Sequence, residues 1–160
     1  MDDQADLLDL DGFLPYRLAV IAARVSKAMS VLYAEKFGIS IAEWRVIAHL
    51  AGSGRVSIRD IHARVNLDKV KVSRAVSRLE EAGLVLKASN AADNRLLDIT
   101  LSKEGWSVYR QIVPLASGFE SDLLSVLDGA ERAALERVFE KLHARLDENP
   151  EAPRRSPLEP

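Results

Sequence analysis

The chain has 160 residues, 48% apolar and 29% charged, enough for one globular domain with its own core. It contains no cysteine, which excludes disulfides, thiolate nucleophiles, thiol redox sensing and sulfur-ligated zinc. No apolar run approaches the ~18 residues a membrane span needs, and no basic n-region precedes an apolar stretch at the start, so a cytoplasmic location is expected. Net charge is −2, but its distribution is uneven. The first twelve residues carry Asp2, Asp3, Asp6, Asp9 and Asp11 and no base, whereas Arg55 to Arg95 hold nine Lys/Arg against five Asp/Glu, a local +4. A basic segment inside an acidic chain is what one nucleic-acid-binding face, or equally a solvated helix surface, looks like.

Residues 1–12 are expected to be a flexible acidic start. Pro15 fits the first turn of a helix to about Phe37, with Leu14, Leu18, Ile21, Val25, Met29 and Leu32 at helical spacing and Gly38 as its stop. Ser40 and Glu43 form a capping box that opens a second helix to about Ala51, with Trp44, Ile47 and Leu50 as its stripe and Gly52 and Gly54 breaking it. Ser57 and Asp60 form a second box, opening a short helix to Val65. After a tight turn, Asp68 caps another helix, which ends at Gly83. Two short helices joined by a turn of about three residues are the helix-turn-helix pattern.

The period then changes from helical to alternating. Leu84–Ser89 and Leu96–Leu101 read as strands joined by turn formers, a hairpin in the place of a wing. Ser102 caps a long helix to about Leu127, in which Pro114 should cause a kink. Asp128 and Glu131 start the last helix, with Leu135, Val138, Phe139, Leu142 and Leu146. The fold class expected is mainly α with a small β-hairpin: a helix over 13–38, a winged helix-turn-helix over 40–102 and two helices over 103–146. A Pro-rich tail over 147–160, holding four of the six prolines, is expected to be disordered.

Placed at 3.6 residues per turn, Val72, Val76, Leu79 and Gly83 fall within an arc of about 60°. Lys71, Arg74 and Arg78 fall within a second arc of about 60°, centred about 140° away, with Val70 and Ser77 beside it. One stripe is suited to burial. The other offers cations for phosphates and guanine edges, with small groups that permit close approach to a major groove. Arg74 and Arg78 are the candidates for base contact, because a guanidinium can be bidentate to guanine. Ser73 and Ser77 suit phosphate or base, and Val70 suits a thymine methyl group. Lys69 and Ser57, each at a helix start, suit phosphate. In the wing, Arg95 would reach a minor groove or its flanking phosphates, oriented by Asp93. Double-stranded DNA is the expected partner.

These segments together resemble the MarR family. The likeness is carried by Asp68-Lys69-Val70-Lys71-Val72-Ser73-Arg74, then Leu79-Glu80-Glu81-Ala82-Gly83-Leu84-Val85, then Asp93-Asn94-Arg95, and by Leu101-Ser102-Lys103-Glu104-Gly105. Ile41 to Ile47 resembles the start of that family's second helix, and the likeness spans about Leu14 to Leu146. It departs at Val70-Lys71, where small polar residues are common, which bears on the operator and not on the fold. The resemblance implies a homodimer held by the N-terminal helix and the two C-terminal helices. It also implies a repressor whose DNA affinity falls when a small aromatic or phenolic carboxylate binds between those helices and the winged helix.

Arg17, Tyr33, Trp44, Trp106 and Tyr109 stand on the helices that would line such a pocket, with Arg17 as the carboxylate partner. The alternative is that Tyr33 and Trp44 are plain core and Arg17 a surface or dimer charge. An enzyme is not expected: no Gly-rich phosphate loop, nucleophile elbow or H-E-x-x-H appears, and no cofactor is implied. His49, His62 and His143 lie on three different helices, and a metal-responsive regulator of the same fold would have to gather them. A winged helix that binds protein instead of DNA is the other alternative.

Overall fold

The computed structural model describes residues 8–65, 67–90 and 97–152, with the backbone alone at Ala63 and Arg64. Helix α1 (Leu14–Phe37) starts with proline in its first turn, where a missing N–H has no partner to lose, and ends where the amide of Gly38, at φ 65°, reaches the Ala34 carbonyl. Helix α2 (Ile41–Ser53) opens on the capping box of Ser40 and Glu43. It runs through Gly52, two residues further than expected, and stops at Gly54, whose positive φ of 71° a side chain would resist.

A two-residue strand β1 (Val56–Ser57) follows, and then α3 (Ile58–Arg64), whose capping box joins Ser57 and Asp60. Helix α4 (Lys69–Glu81) is capped by Asp68. Its end closes with Gly83 at φ 71°, the Gly83 amide on the Glu80 carbonyl and the Leu84 amide on the Leu79 carbonyl. Strands β2 (Val85–Ser89) and β3 (Leu97–Leu101) pair antiparallel from Val85↔Leu101 to Ser89↔Leu97. The sheet has three strands rather than the two of the expected hairpin: β1 pairs with β3 at Val56↔Ile99 and Ser57↔Asp98, giving the order β1-β3-β2.

Helix α5 (Lys103–Leu124) starts on the Ser102 cap. It continues through Pro114, the residue expected to kink it; Pro114 and Arg110, whose carbonyl loses its amide partner there, are both exposed. Helix α6 (Gly129–Asp147) opens on the capping box of Asp128 and Glu131.

The core lies in the middle of the chain. Ile47 and Leu50 of α2, Ile61 of α3, Val72, Val76 and Leu79 of α4, and Val85 and Ile99 of the sheet are fully enclosed. Helix α1 adds only Tyr33 to it among buried residues, and α6 adds none. The foot of α5 is clamped to the end of α4. The Ser102 hydroxyl donates to the Gly83 carbonyl at 2.7 Å, and the Ser102 amide to the Leu84 carbonyl at 3.0 Å. A Cβ on Gly105 would stand 2.0 Å from the Leu84 oxygen, so only glycine permits this approach. Among the described residues no helix is long and apolar enough to cross a membrane.

Candidate nucleic-acid interface and aromatic cluster

The expected division of α4 is present. Val72, Ala75, Val76 and Leu79 are buried, and Lys69, Val70, Lys71, Ser73, Arg74 and Arg78 are exposed, with Ser77 half-buried beside them. The Asp68 carboxylate accepts the Lys71 amide at 2.8 Å and lies 3.0 Å from the Lys71 ammonium. Its pKa is held below the usual value, first by the Lys71 backbone hydrogen bond and then by the Lys71 side chain. Val70, 58% exposed in the first turn, is an apolar group set among cations. Arg74 has no hydrogen-bond or ion-pair partner among the described residues.

Ser57 is already engaged. Its hydroxyl donates to Asp60 Oδ2 at 2.7 Å while accepting the Asp60 amide at 3.2 Å, so phosphate binding there would have to displace a carboxylate. The wing-tip pair Asp93 and Arg95 lies outside the described residues. Below the tip, Lys87 of β2 pairs with Glu80 of α4, which fixes the hairpin against the helix.

Two buried carboxylates escaped the reading of the sequence. Glu43, 6% exposed, accepts the Ser40 amide through Oε2 at 2.7 Å and presents Oε1 to the Arg78 guanidinium at 3.8 Å. The capping motif gave a signal for the first contact; nothing local signals the second. Asp98 of β3 is equally buried, accepts from Asn90 Nδ2 at 2.8 Å and faces Arg55 at 3.8 Å. It therefore ties the neck of the wing to the residue before β1. A charged residue in an alternating strand suggested an outward side chain, and the pairing with β1 is what encloses it.

Four of the five residues singled out for a ligand come together. The rings of Tyr33 and Trp44 stack at 5.9 Å between centroids, and those of Trp44 and Tyr109 at 6.0 Å. Trp106 meets Tyr109 edge-on at 5.8 Å. Helices α1, α2 and α5 thus share one aromatic cluster, sealed at Tyr33 and half-buried at Trp106 and Tyr109. Burial raises the Tyr33 phenol above its ordinary pKa, with Arg45 pulling weakly the other way. Arg17 is not part of the cluster. It stands sixteen residues before Tyr33 on the same helix, about 24 Å along the axis, and lines an open groove of about 240 Å³ with Asp11, Tyr16, Val20 and Ile21. His49, His62 and His143 stand on α2, α3 and α6, and among the described residues no three His, Cys, Asp or Glu side chains are placed to hold a metal ion.

A capped helix pair, an outward basic stripe and a three-stranded wing are the parts of a winged helix-turn-helix, and the chain is a winged-helix protein. Residues 37–96 match the model of the MarR family. The HTH-type transcriptional repressor MdtR of Bacillus subtilis is 26% identical over 108 residues, 68% of this chain and 70% of that protein. A MarR/EmrR family transcriptional regulator from Acinetobacter sp. ADP1 superposes with a TM-score of 0.79 at 29% identity, over 88% of this chain and 99% of that one. BpsR of Bordetella bronchiseptica, whose DNA binding is regulated by 6-hydroxynicotinic acid, shares the fold with a TM-score of 0.76 at 20% identity, over 86% and 97% of the two chains. Residues 37–96 are thus a MarR family segment, and both MdtR and the Acinetobacter protein to which the chain is similar are transcriptional regulators.

Proposed function

We propose that the chain represses transcription by binding a pseudo-palindromic operator in duplex DNA as a homodimer, and that a small aromatic or phenolic carboxylate releases it. The observation that carries this reading is the face of α4: Lys71, Arg74 and Arg78 point outward together from a helix whose other face is locked into the core. In this reading Arg74 and Arg78 read base edges, with Val70, Ser73 and Ser77 at the contact, while Lys69, Lys71 and Ser57 hold phosphate. Asp93 and Arg95 serve the wing. The dimer is supported by the apolar side chains that α1, α5 and α6 leave exposed, among them Leu14, Ile21, Leu123, Val138 and Phe139. A twofold axis through those helices would set two α4 helices into successive major grooves, about 34 Å apart.

The effector is assigned to the cluster of Tyr33, Trp44, Trp106 and Tyr109, whose stacked rings suit a flat ligand, and BpsR responds to a hydroxylated aromatic acid. Arg17 can serve as the carboxylate partner only if a second copy brings its α1 across the cluster, since within one chain the two are about 24 Å apart. Binding of a duplex enriched from a random pool tests the DNA half. Affinity should fall steeply between about 50 and 200 mM salt, and a flat salt dependence would overturn phosphate contact. Release of that duplex by a panel of aromatic carboxylates, 6-hydroxynicotinic acid among them, tests the effector half; loss of release in Arg17→Ala with DNA binding intact is the expected result.

A further inference from the structure

We propose that Glu43 is a positioning residue for sequence reading: it aims the Arg78 guanidinium at a base edge and ties it to the turn of α2 that carries Trp44. This rests on α4 being the DNA-reading helix. A carboxylate is rarely enclosed unless it is paired, and Glu43 is 6% exposed. Its capping duty takes one oxygen, on the Ser40 amide. The other is free to face Arg78 at 3.8 Å, across the packed contact of α2 with α4.

The three cations of the stripe are treated differently. Lys71 pairs with an exposed carboxylate one turn away, which moves with it. Arg74 has no partner among the described residues. Arg78 alone is paired with a buried group, and that group is fixed at both ends, by the cap and by the core. The guanidinium stands 3.8 Å from that fixed charge while the side chain stays 74% exposed, so the attraction biases its direction and leaves its donors open to a base. Fixing a long side chain before the partner arrives cuts the ordering entropy lost on binding. The same negative charge repels phosphate oxygens, so it steers Arg78 away from the backbone and toward bases. Trp44, the middle ring of the aromatic stack, is the next residue on α2, so a shift of that turn reaches Arg78 through a single side chain.

The test uses full-length wild type, Glu43→Gln, Arg78→Ala and the double variant. The probes are a duplex enriched from a random pool by the wild type and a scrambled duplex of equal length and composition. Glutamine serves in a capping box, so Glu43→Gln should keep its helix start and its melting temperature. It should bind the enriched duplex about tenfold more weakly and the scrambled one equally or more tightly, and the double variant should be no weaker than Arg78→Ala. Equal losses on both duplexes, no loss on the enriched one, or losses that multiply in the double variant would each overturn the role of Glu43 while leaving α4 as the reading helix. If the wild type enriches no sequence, the DNA reading of α4 falls, and this proposal with it. Side-chain ¹⁵N relaxation of the wild type needs no variant: Arg78 Nε should be more ordered than Arg74 Nε, and equal order overturns the proposal.

Discussion

In the winged helix each of α2, α3 and α4 and the sheet turns apolar side chains into one shared core, whereas α6 carries Leu135, Val138, Phe139, Leu142 and Leu146 and buries none of them. Helix α1 is nearly as open, with Leu14 at 51% and Ile21 at 56% exposure and only Tyr33 enclosed. Both regions have the apolar periodicity of packed helices. The difference teaches that the middle of the chain completes its burial with its own residues, while its ends leave theirs exposed, as the proposed homodimer would require.

The contrast can be broken most severely from the inside. Leu79→Ala removes a fully enclosed side chain from α4 and should destabilise the winged helix by about 2–5 kcal/mol; a urea midpoint that does not move would mean the core does not depend on α4. The ends should answer in the opposite manner. Val138→Asp with Phe139→Asp should leave secondary structure intact yet weaken self-association at least about a hundredfold, or about 3 kcal/mol. Sedimentation should then show the monomer where the wild type shows a dimer, and an unchanged mass would place the interface elsewhere. Arg74→Ala should cost about 1–3 kcal/mol on the enriched duplex and less on scrambled DNA, without altering mass or melting temperature; equal losses on both would make Arg74 a phosphate contact.

The smallest expected effect belongs to Tyr33, where the two regions meet. Its phenol titrates higher folded than unfolded, so its contribution is complete below the ordinary value of 10.0 and is lost as pH rises beyond it. Denaturation midpoints taken upward through that range should decline more steeply in wild type than in Tyr33→Phe, and parallel declines would show that the phenol does not drive the loss.

Local signals carried most of the fold. Five side-chain caps, at Ser40, Ser57, Asp68, Ser102 and Asp128, stand where a hydroxyl or carboxylate immediately before a helix-forming run placed them, because capping is a contact between near neighbours. The two faces of α4 followed from helical angle alone. Strand β1 was not legible: two residues have no period, and Val56 and Ser57 extend only because β3 supplies their partners from more than forty residues away. The second contact of Glu43 and the enclosure of Asp98 are equally non-local. Arg17 is a different case. Its distance from Tyr33 along α1 follows from helix rise and was legible, whereas a pocket that joins the two needs a second copy, which one sequence does not display.

The clamp of Ser102 and Gly105 on the end of α4 gives α5 the character of a lever arm with its short end at the reading head. Twenty-two residues make an arm about 33 Å long. A rotation of about 5° at its foot displaces the far end of α5 by about 3 Å. Small movements where α5 meets the end of α4 are thereby magnified along the arm, and a single methyl group at Gly105 would loosen the pivot on which that magnification depends.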